Sequence, residues 1–274
     1  MSQTTQPNGV RAVIFDISGT TLDFGSRGPV VAFVELFARH GVAVTEAEAR
    51  GPMGTHKKDH IWTLLSDPSV VERWARANGA APTGEDLDRL YAEFTPLQME
   101  VLKRHCDVIP GVPEVVRRLR ARGIKIANTT GFDTGMMVDL IRLAGEGGYT
   151  PDLWVCPDLV GKGRPAPWMA FYAAQKLNLY PMWTFVKVGD TLADIEEAHA
   201  AGMWAVSVLR HGNEIGLSRE DLDRLSPADL EERMSGARAR LAAKGPHYII
   251  ASTADLIPVV DDITARLARG ERPL

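Results

Sequence analysis

Asp16 stands in the stretch Phe15-Asp16-Ile17-Ser18-Gly19-Thr20-Thr21. It follows Val10–Phe15, a short apolar run of the kind that forms a buried strand. In open α/β sheets, ligands bind outside the carboxyl ends of the strands, and this carboxylate falls there. The Gly and two Thr after it supply a tight turn with free N–H and hydroxyl donors, suited to a phosphate. A functional carboxylate fits the position, and so does an ordinary turn or cap aspartate.

A second carboxylate ends another such run in Lys187-Val188-Gly189-Asp190, and Asp194 follows four residues later at a helix start. Together with Asp16 these two can aim at one point. A cluster of hard oxygen donors that leaves room for water and substrate suits Mg²⁺. Taken alone, Asp194 also reads as an acid favoured at a helix N-terminus. Asn128-Thr129-Thr130-Gly131 closes a third run, where the Thr130 hydroxyl and nearby N–H groups make a phosphate grip. Gly161-Lys162-Gly163-Arg164-Pro165 places two cations in a loop. Arg suits bidentate recognition of phosphate, and either cation alone also reads as surface charge.

These groups need a scaffold. Further strand-like runs are Ile124–Ala127, Leu153–Cys156, Phe185–Val188, Trp204–Leu209 and Tyr248–Ala251. Helical patterns fall between them at Glu114–Arg122, Met136–Ala144, Pro167–Leu177, Ala193–Ala201 and Ala254–Ala268. That alternation predicts an α/β, Rossmann-like, doubly wound parallel sheet. The stretch from Arg27 to His105 breaks the rhythm with helical patterns alone. Val30, Phe33, Val34 and Phe37 share one helix face, and Thr45 with Glu48 forms a capping box. The expected organisation is core over 1–26, an inserted all-helical cap over 27–105, and core again over 106–274. Residues 1–9 read as a short disordered tail. Ser218–Lys244 reads as a charged helical stretch packed beside the core.

Composition removes several classes. Lys and Arg total 31 against 35 Asp and Glu, a net charge of −4, which leaves no electrostatic footprint for nucleic acid or an anionic membrane. Two cysteines, Cys106 and Cys156, exclude a disulfide scaffold and argue against a cysteine-based zinc site. No apolar run approaches a membrane span, and the polar N-terminus carries no signal-peptide pattern, so the expected location is the cytoplasm. His56 and His60 have the spacing of helical zinc ligands, but Lys57 replaces the glutamate a zinc protease needs. The first strand lacks the Gly-x-Gly-x-x-Gly fingerprint of a dinucleotide site.

Asp-x-x-Gly-Thr-Thr after the first strand resembles the nucleophile motif of the haloacid dehalogenase superfamily. Thr130, the later Arg164 and Gly-Asp-x-x-x-Asp match its remaining motifs in order. The resemblance implies an aspartyl-phosphate intermediate on Asp16 and a Mg²⁺ ion. Superfamily phosphatases carry a second Asp two residues after the nucleophile, as general acid. Ser18 occupies that place, and a serine hydroxyl is a poor acid near neutral pH. A carbon leaving group would need another source of stabilisation. Pro52-Met53-Gly54-Thr55-His56-Lys57-Lys58-Asp59-His60 in the inserted segment offers one. A lysine amine forms a Schiff base with an aldehyde, and the iminium is an electron sink that lets a C–P bond break. Neighbouring Lys58 and desolvation would lower the pKa of Lys57.

This stretch, with Gly163–Met169 and His199–Trp204, closely resembles the phosphonatase family of that superfamily, which hydrolyses phosphonoacetaldehyde to acetaldehyde and phosphate. The resemblance assigns Asp16 as nucleophile and Lys57 as the imine-forming amine. It implies Mg²⁺ on Asp16, the Ser18 carbonyl and Asp190, with Asp194 acting through water. Thr130, Gly131 and Arg164 would hold the phosphonate, and Met53 and His60 would shape the pocket and assist proton transfer. It also implies a homodimer formed through the cap. Three positions depart from the family pattern: Ser18 stands for Ala, Ser26 for Cys and Phe132 for Tyr. They leave open a related phosphonate or a bulkier aldehyde as substrate. Another hydrolase of the superfamily, or a non-catalytic binding protein on the same fold, are the competing readings.

Overall fold

The computed structural model describes residues 8–273. Residues 1–7 of the expected N-terminal tail lie outside that range. The chain runs β1 (Ala12–Phe15), then five helices, α1 (Arg27–Arg39), α2 (Glu46–Arg50), α3 (Lys57–Ser66), α4 (Pro68–Asn78) and α5 (Gly84–Leu102). It continues with α6 (Val112–Arg120), β2 (Lys125–Thr129), α7 (Thr134–Glu146), β3 (Leu153–Val155), α8 (Trp168–Leu177), β4 (Phe185–Gly189), α9 (Leu192–Ala201) and β5 (Trp204–Val208). It ends with α10 (Arg219–Asp223), α11 (Pro227–Ala242), β6 (Tyr248–Ile250) and α12 (Leu256–Ala268).

The six strands form one sheet in the order β3-β2-β1-β4-β5-β6, and every pairing is parallel. The expected doubly wound α/β core is borne out. β1 is buried on both faces, as parallel sheets covered by helices require. Val13 and Phe15 point into one core with β4, β5, α6 and α12. Ala12 and Ile14 point into the other, with α8, α9 and α11. The chain order reverses between β1 and β4, so their carboxyl ends flank the crevice where such sheets bind ligands.

The helices between β1 and β2 contain no strand among the described residues. Their starts follow local chemistry. Thr45 and Glu48 make the expected capping box at α2. Asp67 caps α4 ahead of Pro68, which needs no amide hydrogen there. At α1 the cap comes from further back, because Ser26 makes no side-chain cap. The Asp23 carboxylate instead accepts from the amides of Arg27 and Gly28, each at 3.0 Å. Burial pushes the Asp23 carboxyl up to about 7.

The charged stretch Ser218–Lys244 is two helices rather than one. Ser226 caps α11 and Pro227 takes its first turn, which forces the break. Leu222, Ala237 and Leu241 anchor it to the core.

Phe33 of α1 is fully buried and stacks between His60 of α3 and Phe94 of α5, with ring centroids at 3.8 and 4.5 Å. Phe33→Ala should therefore cost about 3–5 kcal/mol. Urea denaturation checks this; a loss under about 1 kcal/mol would show that these helices do not rely on that contact.

Candidate active site

Arg164 ties the site together. It is buried, just ahead of α8. One of its terminal nitrogens donates to Asp16 Oδ1 at 2.6 Å and to Thr129, through the carbonyl and through Oγ1 at 3.0 Å. The other reaches the Gly54 carbonyl at 3.3 Å and lies 3.0 Å from Asp194 Oδ1. Nε donates to Glu197 at 3.2 Å. One guanidinium thus links β1, β2, α9 and the Gly54 turn. It is a spanning brace rather than the flexible surface loop the sequence suggested; Lys162 stays exposed.

Asp16 follows directly on β1, its amide bonded to the Val188 carbonyl at 2.8 Å. Asp190 follows directly on β4 and is fully buried. The Thr20 hydroxyl and the Asn213 amide donate to it at 2.8 and 2.7 Å. Asp194 lies at the start of α9, where Oδ2 closes a capping box with Thr191. Oδ2 serves the helix start, and Oδ1 is left facing Arg164 and Lys187. Carboxylate oxygens of Asp16, Asp190 and Asp194 all lie within 4.8 Å of one another.

Burial and mutual repulsion push the Asp16 and Asp190 carboxyls up, while Arg164 opposes the rise at Asp16. Arg164 and Lys187 outweigh burial at Asp194 and hold it low. Converging hard-oxygen donors whose burial is unfavourable as bare anions fit a small divalent cation.

Facing Asp16 is Lys57, the first residue of α3. Both line a cavity of about 20 Å³, with Ser18, Ser26, Pro29, Met53, Gly54, Thr130, Gly131 and Phe132. That volume holds about one or two waters. Met53 Sδ lies 3.9 Å from Nζ, and the rings of Phe132 and Phe33 lie 4.9 and 5.6 Å from it. Desolvation lowers the Lys57 ammonium to about 8; Asp16 opposes the shift and Arg164 adds to it. The Ser18 and Ser26 hydroxyls are buried and have no hydrogen-bond partner among the described residues.

Gly131 sits where the two halves of the site touch. A Cβ there would meet the Thr55 carbonyl oxygen at 2.2 Å. Gly54, at φ +90°, is equally confined, with Thr191 Oγ1 at 2.3 Å from a Cβ.

Two expectations need correction. Lys58 is not what depresses Lys57: it points outward and pairs with Asp88 at 2.6 Å, and the relevant cation is Arg164. His60 does not line the cavity. It is fully buried behind Lys57, where Nε2 donates to the Ala49 carbonyl at 2.9 Å. Nδ1 is left without a hydrogen-bond partner among the described residues, and burial with Lys57 nearby holds the ring neutral. His56 turns away from His60 and pairs with Asp133 at 3.0 Å, so the two histidines share no ligand.

Sequence reasoning missed the charge network beneath Arg164. Lys187 Nζ donates to Thr129 Oγ1 at 2.6 Å and lies 3.0 Å from both Asp194 and Glu197. Its signal was available, since a lysine amid Phe185, Val186 and Val188 in a central strand must find a buried partner. Glu197 gave no such signal, because an acid on a helix ordinarily faces water. Arg50 was also missed; it crosses from α2 to the carbonyls of Gly25 and Gly216 at 3.0 and 2.9 Å.

A family model described as haloacid dehalogenase-like hydrolase matches residues 10–202. The chain belongs to that family. As such a hydrolase it is an enzyme, and its curated relatives narrow the comparison. It is 44% identical over 264 residues to a phosphonoacetaldehyde hydrolase of Nitratidesulfovibrio vulgaris, covering 96% of this chain and 94% of the relative. It is 43% identical to one of Paraburkholderia phytofirmans, covering 96% and 99%. Among solved structures it superposes on a phosphonoacetaldehyde hydrolase-like protein from Oleispira antarctica with a TM-score of 0.96. That pair is 44% identical, over 100% of this chain and 99% of that one. The haloacid dehalogenase-like fold therefore extends over the whole chain.

Two outcomes follow from the geometry. Gly131→Ala should leave the sheet folded but prevent the Thr55 carbonyl from closing on it, cutting turnover by about a hundredfold or more (~3 kcal/mol). Near-native turnover would show that this contact is not needed. Lys57 has a folded pKa below its unfolded value, so its ammonium destabilises the fold fully below pH about 8. That penalty fades as pH rises from about 8 to the ordinary lysine value of 10.5. Lys57→Met should therefore be more stable than wild type at neutral pH, by a margin that shrinks at alkaline pH. Denaturant titrations at the two pH values check the sign; a less stable variant at neutral pH would contradict it.

Proposed function

We propose that the enzyme hydrolyses the C–P bond of phosphonoacetaldehyde, giving acetaldehyde and phosphate. The observation that carries this reading is that Lys57, a buried amine with a depressed pKa, lines the same cavity as Asp16. A desolvated amine is the group that adds to an aldehyde to form an imine, which matches an aldehyde-bearing phosphonate. The names of the relatives at 43–44% identity support the same substrate.

The neutral Lys57 amine adds to the substrate aldehyde and water leaves, giving an iminium. Asp16 attacks phosphorus, and the C–P electron pair flows into the iminium to form an enamine on Lys57. No acid is needed for that leaving group, which fits Ser18 in place of a proton donor. Protonation of the enamine carbon and addition of water release acetaldehyde and restore the amine. Water attack on phosphorus of the Asp16 acyl phosphate releases phosphate.

Arg164 donates to Asp16, opposes the rise that burial imposes on its carboxyl, and places positive charge where phosphoryl oxygens gather. Thr130 and Gly131 complete that grip. Asp16, Asp190 and Asp194, with the Ser18 carbonyl, would hold Mg²⁺, which supplies charge neutralisation to the phosphoryl group. Met53 packs against the amine and His60 keeps a neutral wall behind it, so both maintain the low pKa.

The cavity is too small for the substrate, and Lys57 is only 3% exposed. Residues 27–105 therefore act as a cap that opens between turnovers, while 1–26 and 106–274 form the core. We also infer a homodimer through the cap. Val31 of α1 and Trp62 of α3 are exposed apolar side chains on it. A monomer in sedimentation equilibrium would overturn that inference. No helix among the described residues is long and apolar enough to cross a membrane. We place the enzyme in the cytoplasm, a location that recovery in the membrane or periplasmic fraction would contradict.

The decisive assay follows acetaldehyde and phosphate together, with Mg²⁺ present, for wild type and Lys57→Arg. Equal amounts of both products from wild type, and a loss of at least ~10³-fold in the variant (~4 kcal/mol), are expected. Turnover indifferent to Lys57 would overturn the imine route.

A further inference from the structure

Asp194 and Glu197 share the same two cations. Lys187 Nζ lies 3.0 Å from Asp194 Oδ1 and 3.0 Å from Glu197 Oε2. Arg164 lies 3.0 Å from Asp194 Oδ1 through a terminal nitrogen and 3.2 Å from Glu197 Oε2 through Nε. All four side chains are buried. The two acids stand three residues apart on α9 and so face the same way. Asp194 Oδ2 is spent on Thr191, so Oδ1 is the oxygen Asp194 has to offer a metal. It is also the oxygen on which both cations lean.

Glu197 does not line the cavity, and nothing in the proposed chemistry uses it. Yet its Oε2 gathers Lys187, Arg164 and the Thr129 hydroxyl, the last at 3.0 Å. Its Oε1 is buried without a hydrogen-bond partner among the described residues, so it has accepting capacity to spare.

We propose that Glu197 is a positioning residue for the metal site: it shares Lys187 and Arg164 with Asp194, so that their charge is balanced by two acids and the Asp194 carboxylate stays available to a divalent cation. The proposal rests on the reading that Asp16, Asp190 and Asp194 bind such an ion. The physical cause is charge balance in a medium that screens poorly. Two buried cations with one fewer acid beside them draw harder on Asp194 and repel a third cation. Outer partners of this kind commonly set metal affinity.

The test measures Mg²⁺ binding to the substrate-free protein by isothermal titration calorimetry. Glu197→Gln keeps the shape and an acceptor but removes the charge. Its affinity should fall by about 10- to 100-fold. The double variant Lys187→Met/Glu197→Gln removes one charge of each sign and should recover most of the loss. A purely structural Glu197 predicts a double variant at least as weak as the single one, which would overturn the proposal. So would unchanged affinity in Glu197→Gln. Lys187→Met alone, which serves if Glu197→Gln does not fold, should bind Mg²⁺ more tightly; equal or weaker binding contradicts the proposal. Wild type that binds no Mg²⁺ would overturn the metal reading and this proposal with it, whereas the other outcomes bear on Glu197 alone.

Discussion

Four buried acids at one edge of a sheet would not survive without compensating charge. Asp16, Asp190, Asp194 and Glu197 are all nearly inaccessible to water. Arg164 meets three of them directly and Lys187 meets two. Removing one partner of such a buried set typically costs about 3–5 kcal/mol, because the remaining charge is stranded. The strand order places the acids, and the guanidinium supplies positive charge to three of them, opposing the rise at Asp16 and helping to hold Asp194 low. Arg164 also reaches the Gly54 carbonyl, so the same group that balances the core senses the position of the inserted helices.

The inserted helices bring a different kind of group. Lys57 is desolvated among Met53, Phe33 and Phe132, and the residues that dry it also hold it. Its ammonium form is disfavoured by burial, which shifts the group toward the neutral amine, the direction a nucleophile requires. Glycines at 54 and 131 let the two halves approach without side chains between them. Small residues at that seam and a dry amine behind it are what the proposed closure of the inserted helices over the core would need.

Much of this was legible in the sequence. The strand runs and the helical interruption gave the layer order, because burial on both faces forces compact apolar runs in a parallel sheet. The carboxylates at the ends of β1 and β4 were readable for the same reason. Other features were not readable, since they depend on contacts distant in the chain. Arg164 looked like a loop cation and is buried, since its partners come from β1, β2 and α9. Lys58 looked like the neighbour of Lys57 and faces the other way, because adjacent helical residues diverge. His60 is close to Lys57 in sequence and in space, but the Ala49 carbonyl fixes its ring outside the cavity. The break before Pro227 was visible in the residue types themselves, a Ser-Pro pair that begins a helix.

The central claim is that Lys57 and Asp16 act on one molecule in one cavity. The most direct measurement is borohydride reduction during turnover of phosphonoacetaldehyde, followed by peptide mass analysis. The account predicts loss of activity only when substrate is present, with an ethyl or phosphonoethyl group fixed on the Lys57 amine. Full activity after reduction in the presence of substrate, or an adduct on another lysine, would contradict it.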